Sequence, residues 1–356
     1  MKNLCVIFGG NSSEHDISII TGMQLCKALE AKQHIEKIYL GLDNKFYLAT
    51  QVHELSFFSN KHDIKLKEII LSDGSIYIKG LFFKKYCDID CVINCCHGGV
   101  GENGDLAGFF SVNNIKYVGS NSLSSHIAMD KNLTKKLLEE EIPVVKGIKV
   151  TKQNFTEAVE LIKKEFSSHL IVKPNSLGSS IGVKVCNKNN FVNQIEAVFE
   201  MFDDALVEEQ VMHMKEYNQA CYKTKEGLHL SAIEQPVTKS NFLTFEDKYV
   251  NKTKGGDRII PAEIPVELED QIIEYTSKIY STLNLCGIVR IDYIYDTKNK
   301  KLYFNEVNTI PGSMAFYLFE PVGIDYLSLI EQLVQNCEEN KKYFYFDTGV
   351  LTKKLL

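Results

Sequence analysis

An α/β fold with a mostly parallel N-terminal sheet is what this sequence predicts, and three observations carry the prediction. Short apolar runs of strand length alternate with longer segments whose apolar residues recur every three or four positions, the pattern of a sheet covered by helices. The first run, residues 4–8, stops at Gly9-Gly10, a tight turn that leads directly into an amphipathic segment. The chain has 356 residues, 44% hydrophobic and 24% charged, enough for two or three cores and unlike a disordered composition.

Taken in order, the apolar run at 4–8 is a buried strand, and 16–30 is a helix with Ile19, Met23 and Cys26 on one face. Further strands are predicted at 38–40 and 90–96, a helix at 105–113, and a short strand at 115–118 before Gly119-Ser120. The texture then changes. A helix over 131–141 ends at Ile142-Pro143, because the residue before a proline is driven out of helical geometry. Short strands follow around 147–150 and 170–172, with helices at 157–166 and 190–202. The last part holds a helix over 267–283, with Ile272, Tyr275, Thr276, Ile279 and Leu283 at helical spacing. Two strands, 288–295 and 301–308, are joined by the polar turn 296–300. Boundaries near residues 120 and 205 divide the chain into 1–120, 121–205 and 206–345.

Composition excludes several function classes. With 46 acidic and 40 basic residues the net charge is −6, so no global electrostatic footprint for nucleic acid exists. The apolar run at 4–8 is too short for a signal peptide, and no stretch approaches the length that crosses a membrane. A cytoplasmic protein without membrane or nucleic-acid partners is the expectation. The ten cysteines are scattered, with no C-x-x-C pattern, and read as reduced core residues. Cys95 and Cys96 are adjacent and so point to opposite faces of a strand.

Four segments carry chemistry. On the last pair of strands, Arg290 and Asp292 share one face, as do Glu306 and Asn308. If the turn is centred near residue 299, Asp292 lies opposite Glu306, with Cβ atoms about 5 Å apart, where like charges repel. Converging oxygen side chains suit Mg²⁺ carrying nucleotide phosphates, with Arg290 placed to neutralise a developing anion. Carboxylates pointing into water fit the same pattern, and the pattern alone leaves both open. In the second segment, residues 171–185, a strand bearing Lys173 enters a Gly/Ser loop and leaves as another strand. Backbone N–H groups there can cradle phosphate, although an ordinary hairpin has the same composition. It is not a Walker A loop, which opens into a helix. Third, residues 8–18 form a strand, a glycine turn and a helix start with Glu14 and His15, either an anion or ammonium site or a capping set built on Ser12 or Ser13. Fourth, residues 95–108 place His97, several glycines and Glu102 after a strand, where open α/β sheets bind ligands and where a structural histidine is equally at home.

In order along the chain, FGGNSSEH, HGGVGENGDLAGFF, YVGSNSLSSHIAMDKNLTKKLL, VKPNSLGSSIGV, FEDKYV, GIVRIDYI and FNEVNTIPG resemble the D-alanine–D-alanine ligases of the ATP-grasp superfamily. The likeness covers the chain to about residue 335. It implies a three-domain ATP-grasp architecture, with ATP between the last two domains. One D-alanine would be phosphorylated on its carboxylate and then attacked by the amine of a second, for peptidoglycan precursor synthesis. A carboxylate is a poor electrophile, so activation by ATP is chemically necessary, and the acyl phosphate must be kept from water.

The resemblance also implies residue roles. Lys131 and Lys173 would hold ATP phosphates, Glu208 and Val211 the adenine, and Glu216 the ribose if one inserted residue is allowed. Asp292, Glu306 and Asn308 would bind two Mg²⁺ ions, with Mn²⁺ as a substitute. Arg290 and the backbone N–H of Gly312 would stabilise the tetrahedral intermediate. Glu14 would anchor the first substrate's ammonium, with His97 near its carboxylate. Ser179 and Tyr249 would join Glu14 in closing a loop, together with Lys248 and the stretch 251–257. A homodimer is implied as well. One departure stands out: where the family carries a small serine for the second substrate's carboxylate, this chain has Tyr317, followed by Leu318. The acceptor therefore stays open between D-alanine and another amino acid. A nucleotide-binding homologue without catalysis is a further class, and retention of Arg290 with the metal residues counts against it.

Overall fold

The computed structural model describes residues 3–60, 64–178, 181–237 and 258–337. Three sheets of eight, four and five strands organise them. In the first sheet, Leu4–Gly9 pairs in parallel with Ile35–Leu40 on one side and Cys91–Asn94 on the other, and Tyr117–Val118 extends it. Every residue of Leu4–Gly9 is buried, which is why this strand reads as an unbroken apolar run. Helix His15–Glu30 lies against it with Ile19, Met23 and Cys26 buried.

The sheet then continues where no strands were expected. Beyond Ile35–Leu40 it runs through Phe46–Leu48, Lys67–Ser72, Ser75–Ile78 and Lys84–Asp88, and all four pairings are antiparallel. A mostly parallel sheet is therefore corrected to a parallel half joined to an antiparallel meander. The physical reason is exposure: the edge strand Lys84–Asp88 buries none of its residues and carries charges, so no apolar signal marks it. Cys95 joins the core under the first helix and Cys96 the core on the opposite face, as neighbours in extended chain must. None of the ten cysteines is in a disulfide.

The second sheet has the order Lys184–Asn187, His169–Pro174, Asp204–Glu209, Gly147–Thr151, antiparallel throughout. Helices Phe155–Glu165 and Phe191–Phe199 cover it with Ile162, Ile195 and Val198. The described parts of the Gly/Ser hairpin pair antiparallel, with Val172 opposite Lys184. In the third sheet, Met214–Thr224 pairs with Gly227–Pro236 on one side and with Val289–Asp296 on the other. Helix Val266–Thr282 buries Ile272, Tyr275, Thr276 and Ile279 against this sheet. The last described helix, Tyr326–Gln335, returns to the beginning of the chain. Its Leu329, Ile330 and Leu333 share a core with Leu4, Val6 and Ile93.

Gly22 marks the closest approach of the first helix to the central strand. A Cβ there would stand 2.4 Å from the Cβ of Phe8, a distance that packed atoms do not tolerate. Alanine favours a helix interior over glycine by about 1 kcal/mol, and overpacking a tight core costs about 1–3 kcal/mol. Gly22→Ala should therefore lower stability in chemical denaturation, although surface Gly→Ala changes in helices raise it.

Candidate active site

The final hairpin positions the carboxylates, and its register depends on one extra residue. Near the turn, Asp296 pairs with Lys301 and Tyr293 with Phe304. Beyond an irregularity between Asp292 and Tyr293, Asp292 faces Glu306 and Arg290 faces Asn308. Asn305 is the residue left over. Continuing the turn-proximal register would have put Asn305 opposite Asp292 and turned Glu306 to the other face. The expected pairing is thus present, reached through a bulge instead of a turn centred on residue 299.

Across the sheet the same row continues. Asn218 pairs with Asp292 on one side and Glu234 on the other, giving Glu234, Asn218, Asp292 and Glu306 on four adjacent strands. Glu216, two residues from Asn218, shares its face. Arg290 binds Asp292 through two hydrogen bonds, Nε to Oδ1 and Nη2 to Oδ2, both 2.7 Å. Asn308 donates from Nδ2 to Asp292 Oδ2 at 3.1 Å. Lys131 Nζ lies 3.3 Å from Glu306 Oε2 and donates to the Leu177 carbonyl at 2.7 Å. Each facing carboxylate therefore has its own cation.

Lys131 opens the helix Lys131–Leu138, capped by Asp130 through the Leu133 N–H at 2.8 Å. The Gly/Ser loop is fastened to the same helix start: Asn175 Oδ1 accepts the Asn132 N–H at 3.0 Å. One turn after Lys131, Lys135 is buried against Glu208, and Lys173 Nζ sits 2.6 Å from the other Glu208 oxygen. Burial alone would raise the Glu208 pKa, but the two ammonium charges overcome it and hold the carboxyl at about 2. Burial pushes Lys135 down to about 8, more than its carboxylate partner restores, with the charge of Lys173 working in the same direction. Sequence reasoning missed Lys135, although its i,i+4 spacing from Lys131 places both lysines on one helix face. Val211 lies in the turn between Asp204–Glu209 and Met214–Thr224.

The N-terminal segments complete the site. Glu14 is the N-cap residue of helix His15–Glu30, yet its side chain makes no capping bond. Ser12 Oγ instead accepts the Glu14 N–H at 3.1 Å and donates to the His97 carbonyl at 2.7 Å. Built Cβ atoms on Gly98 and Gly178 would come within 3.0 and 2.9 Å of Glu14 Oε2, so both loops close on that carboxylate. His97 is buried and its Nε2 meets Thr21 Oγ1 at 2.9 Å. Burial lowers its pKa to about 4, so it is neutral at pH 7 and contributes hydrogen bonds, not charge. Glu102 accepts the Gly98 N–H at 3.0 Å and the Ile310 N–H at 3.3 Å, bridging the second and last motifs. Burial, then the neighbouring charge of Glu14, push it up to about 7.

Gly312 begins a helical turn, Gly312–Leu318, in which Ser313, Met314 and Ala315 all have left-handed φ of 51, 54 and 49°. Such backbone costs roughly 1–2 kcal/mol per L-residue. It is held by Ser313, whose N–H donates to Thr21 Oγ1 at 3.3 Å and whose hydroxyl donates to Gln24 Oε1 at 3.0 Å. Leu318 is buried and Tyr317 half-buried at the end of this turn. A cleft is lined by Glu14, Glu102, Lys131, Gly178, Glu306 and Asn308, among others. Ser179, Lys248, Tyr249 and the stretch 251–257 lie outside the described residues.

Comparison with known proteins reaches the same place. Models of the D-Ala D-Ala ligase N-terminus and C-terminus match residues 3–120 and 137–335. The chain belongs to the D-alanine–D-alanine ligase family. A D-alanine–D-alanine ligase of Helicobacter acinonychis is 34% identical over 349 residues, covering 96% of both chains. One from Thermosipho melanesiensis is 32% identical, covering all of this chain and 99% of the relative. Among solved structures, the ligase of Helicobacter pylori superposes with a TM-score of 0.79 at 30% identity, over 95% of this chain and 99% of that one. The VanG D-Ala:D-Ser ligase of Enterococcus faecalis gives 0.80 at 26% identity, over 94% and 98%. The mixed α/β sheets and the ATP-grasp class are those of this family, whose reaction depends on ATP and a divalent metal.

Two measurements check the electrostatics. Glu208→Gln leaves two buried lysines without their carboxylate, and breaking a buried pair costs about 3–5 kcal/mol, so its denaturation midpoint should fall sharply. Glu102 has a folded pKa of about 7 against an ordinary 4.5, so its contribution to stability is full below pH 4.5 and lost as pH rises through 7. Thermal melts from pH 4.5 to 8 should show the wild type losing stability relative to Glu102→Gln over that interval.

Proposed function

We propose that the chain is an ATP-dependent ligase that joins two D-alanines through an acyl phosphate, supplying dipeptide for peptidoglycan precursors. The observation that carries this reading is the convergence, in one cleft, of Glu14 with Lys131, Glu306 and Asn308, where Glu306 is faced across the hairpin by Asp292. Glu14 would take the first amino acid's ammonium, since it is a carboxylate lining the cleft where the Gly98 and Gly178 loops close. Lys131 and Lys173 would turn from Glu306 and Glu208 toward the phosphates of ATP, with Glu208, Val211 and Glu216 beside the nucleoside. Asp292, Glu306 and Asn308 present carboxylate and amide oxygens on adjacent strands, a hard donor set that fits two Mg²⁺ ions, or Mn²⁺ in their place. Bound metal would offset the polyphosphate charge. Arg290, fixed in its plane by Asp292, and the N–H of Gly312 would meet the oxyanion as the second amine attacks. Ser179, Tyr249 and Lys248 would close over the substrates. A cytoplasmic homodimer completes the proposal; among the described residues no helix is long and apolar enough to cross a membrane.

Tyr317 favours a second reading, a ligase of the same chemistry with a different acceptor; the VanG neighbour is by name a D-Ala:D-Ser ligase. Phosphate release from ATP with D-alanine, D-serine, D-lactate and L-alanine separates the two. D-alanine alone should sustain turnover under the first reading, and no turnover with any D-amino acid pair would sink both. Arg290→Ala should lower kcat about 10²–10³-fold, the cost of losing one oxyanion donor, while the KM for ATP stays within a few-fold.

A further inference from the structure

Tyr317 is held by partners that belong to none of the motifs. Its hydroxyl donates to Glu234 Oε2 at 3.3 Å, and the guanidinium carbon of Arg258 lies 4.8 Å above its ring. Arg258 Nε is 3.4 Å from Glu234 Oε1, and Asn218 Nδ2 donates to Glu234 Oε2 at 3.2 Å. The Glu234 side chain is 3% exposed and that of Arg258 40%, so the carboxylate is a buried anchor and the arginine its outward partner.

Position along the sheet connects this group to the reaction centre. Glu234 stands two strands from Asp292 in the same row, about 10 Å at ordinary strand spacing. The charges of Arg290 and Arg258 both bear on Tyr317, and Arg258 is the one stacked on its ring. An α-amino acid whose nitrogen attacks near Arg290 carries its carboxylate two bonds farther from that nitrogen, and it needs a cation on the side away from the metal residues. A guanidinium has five N–H donors in a planar fork matched to a carboxylate, and the Nε of Arg258 is the atom placed beside Glu234.

Resting on the ligase reading above, we infer that Arg258, seated on Tyr317 and Glu234, binds the carboxylate of the acceptor amino acid. Tyr317 provides the wall of that subsite and the ring on which Arg258 is positioned. The ligand class is a small D-α-amino acid with a free carboxylate.

The test is a competition between D-alanine and D-alaninamide as acceptors, with D-alanine as donor and the dipeptide products separated by mass. The wild type should favour the acceptor with a free carboxylate by at least tenfold. Arg258→Gln should erase most of that preference while the KM for ATP stays within twofold, which also reports a folded protein. Arg258→Lys should restore part of it, and Tyr317→Phe, which keeps the ring, should retain most. An unchanged preference in Arg258→Gln overturns the inference, as does a wild type that uses the amide equally well. A wild type that makes no dipeptide at all overturns the ligase reading, and this inference with it, before any variant is compared.

Discussion

Two carboxylates that face each other across a hairpin govern the architecture of this site. Asp292 and Glu306 stand in direct register, where unopposed like charges would weaken the strand pair. Each is matched by a cation from a different place: Arg290 from the same strand, and Lys131 from the start of a helix more than 150 residues earlier. The hairpin, the helix and the Gly/Ser loop fastened to it are therefore bound together by charge before any ligand arrives. Under the proposed function, a nucleotide's phosphates would meet cations already in place, and the carboxylates would be left to a divalent metal.

A second buried carboxylate repeats this logic deeper in the central sheet. Glu208 gathers Lys135 and Lys173 at one point. The lysines are too buried to be there without it, and the carboxylate would not stay ionised without them. Such an arrangement stabilises little in net terms but fixes two long side chains that otherwise carry substantial rotamer freedom. Preorganised positive charge is what phosphoryl transfer requires of its protein.

The N-terminal part is joined to this machinery by polar contacts of unusual economy. One threonine hydroxyl, Thr21, meets His97 and the Ser313 N–H together, while Glu102 spans the Gly98 and Ile310 amides. The left-handed turn at Ser313–Ala315 persists because these contacts, with the burial of Met314 and Ala315, over-determine it. That turn places Tyr317 against Glu234 and Arg258.

By itself, the sequence determined the elements whose signal is local. The buried central strand, the amphipathic helices at His15–Glu30 and Val266–Thr282, and the strands bearing Arg290, Asp292, Glu306 and Asn308 are all legible from apolar spacing and turn residues. The order of motifs placed the chain in its family. Only the tertiary structure decided what depends on distant partners. The antiparallel meander to Asp88 and the strands Met214–Thr224 and Gly227–Pro236 have no clean alternation, because some lie at an exposed edge and others bury polar residues on both faces, Asn218 in the row of the site and Gln219 opposite it. The bulge at Asn305 cannot be read from spacing, since one extra residue changes the pairing without changing the composition. Lys135 and Arg258 were invisible for the same physical reason: a charge acquires a role from what it is brought against, and that is a property of packing across hundreds of residues.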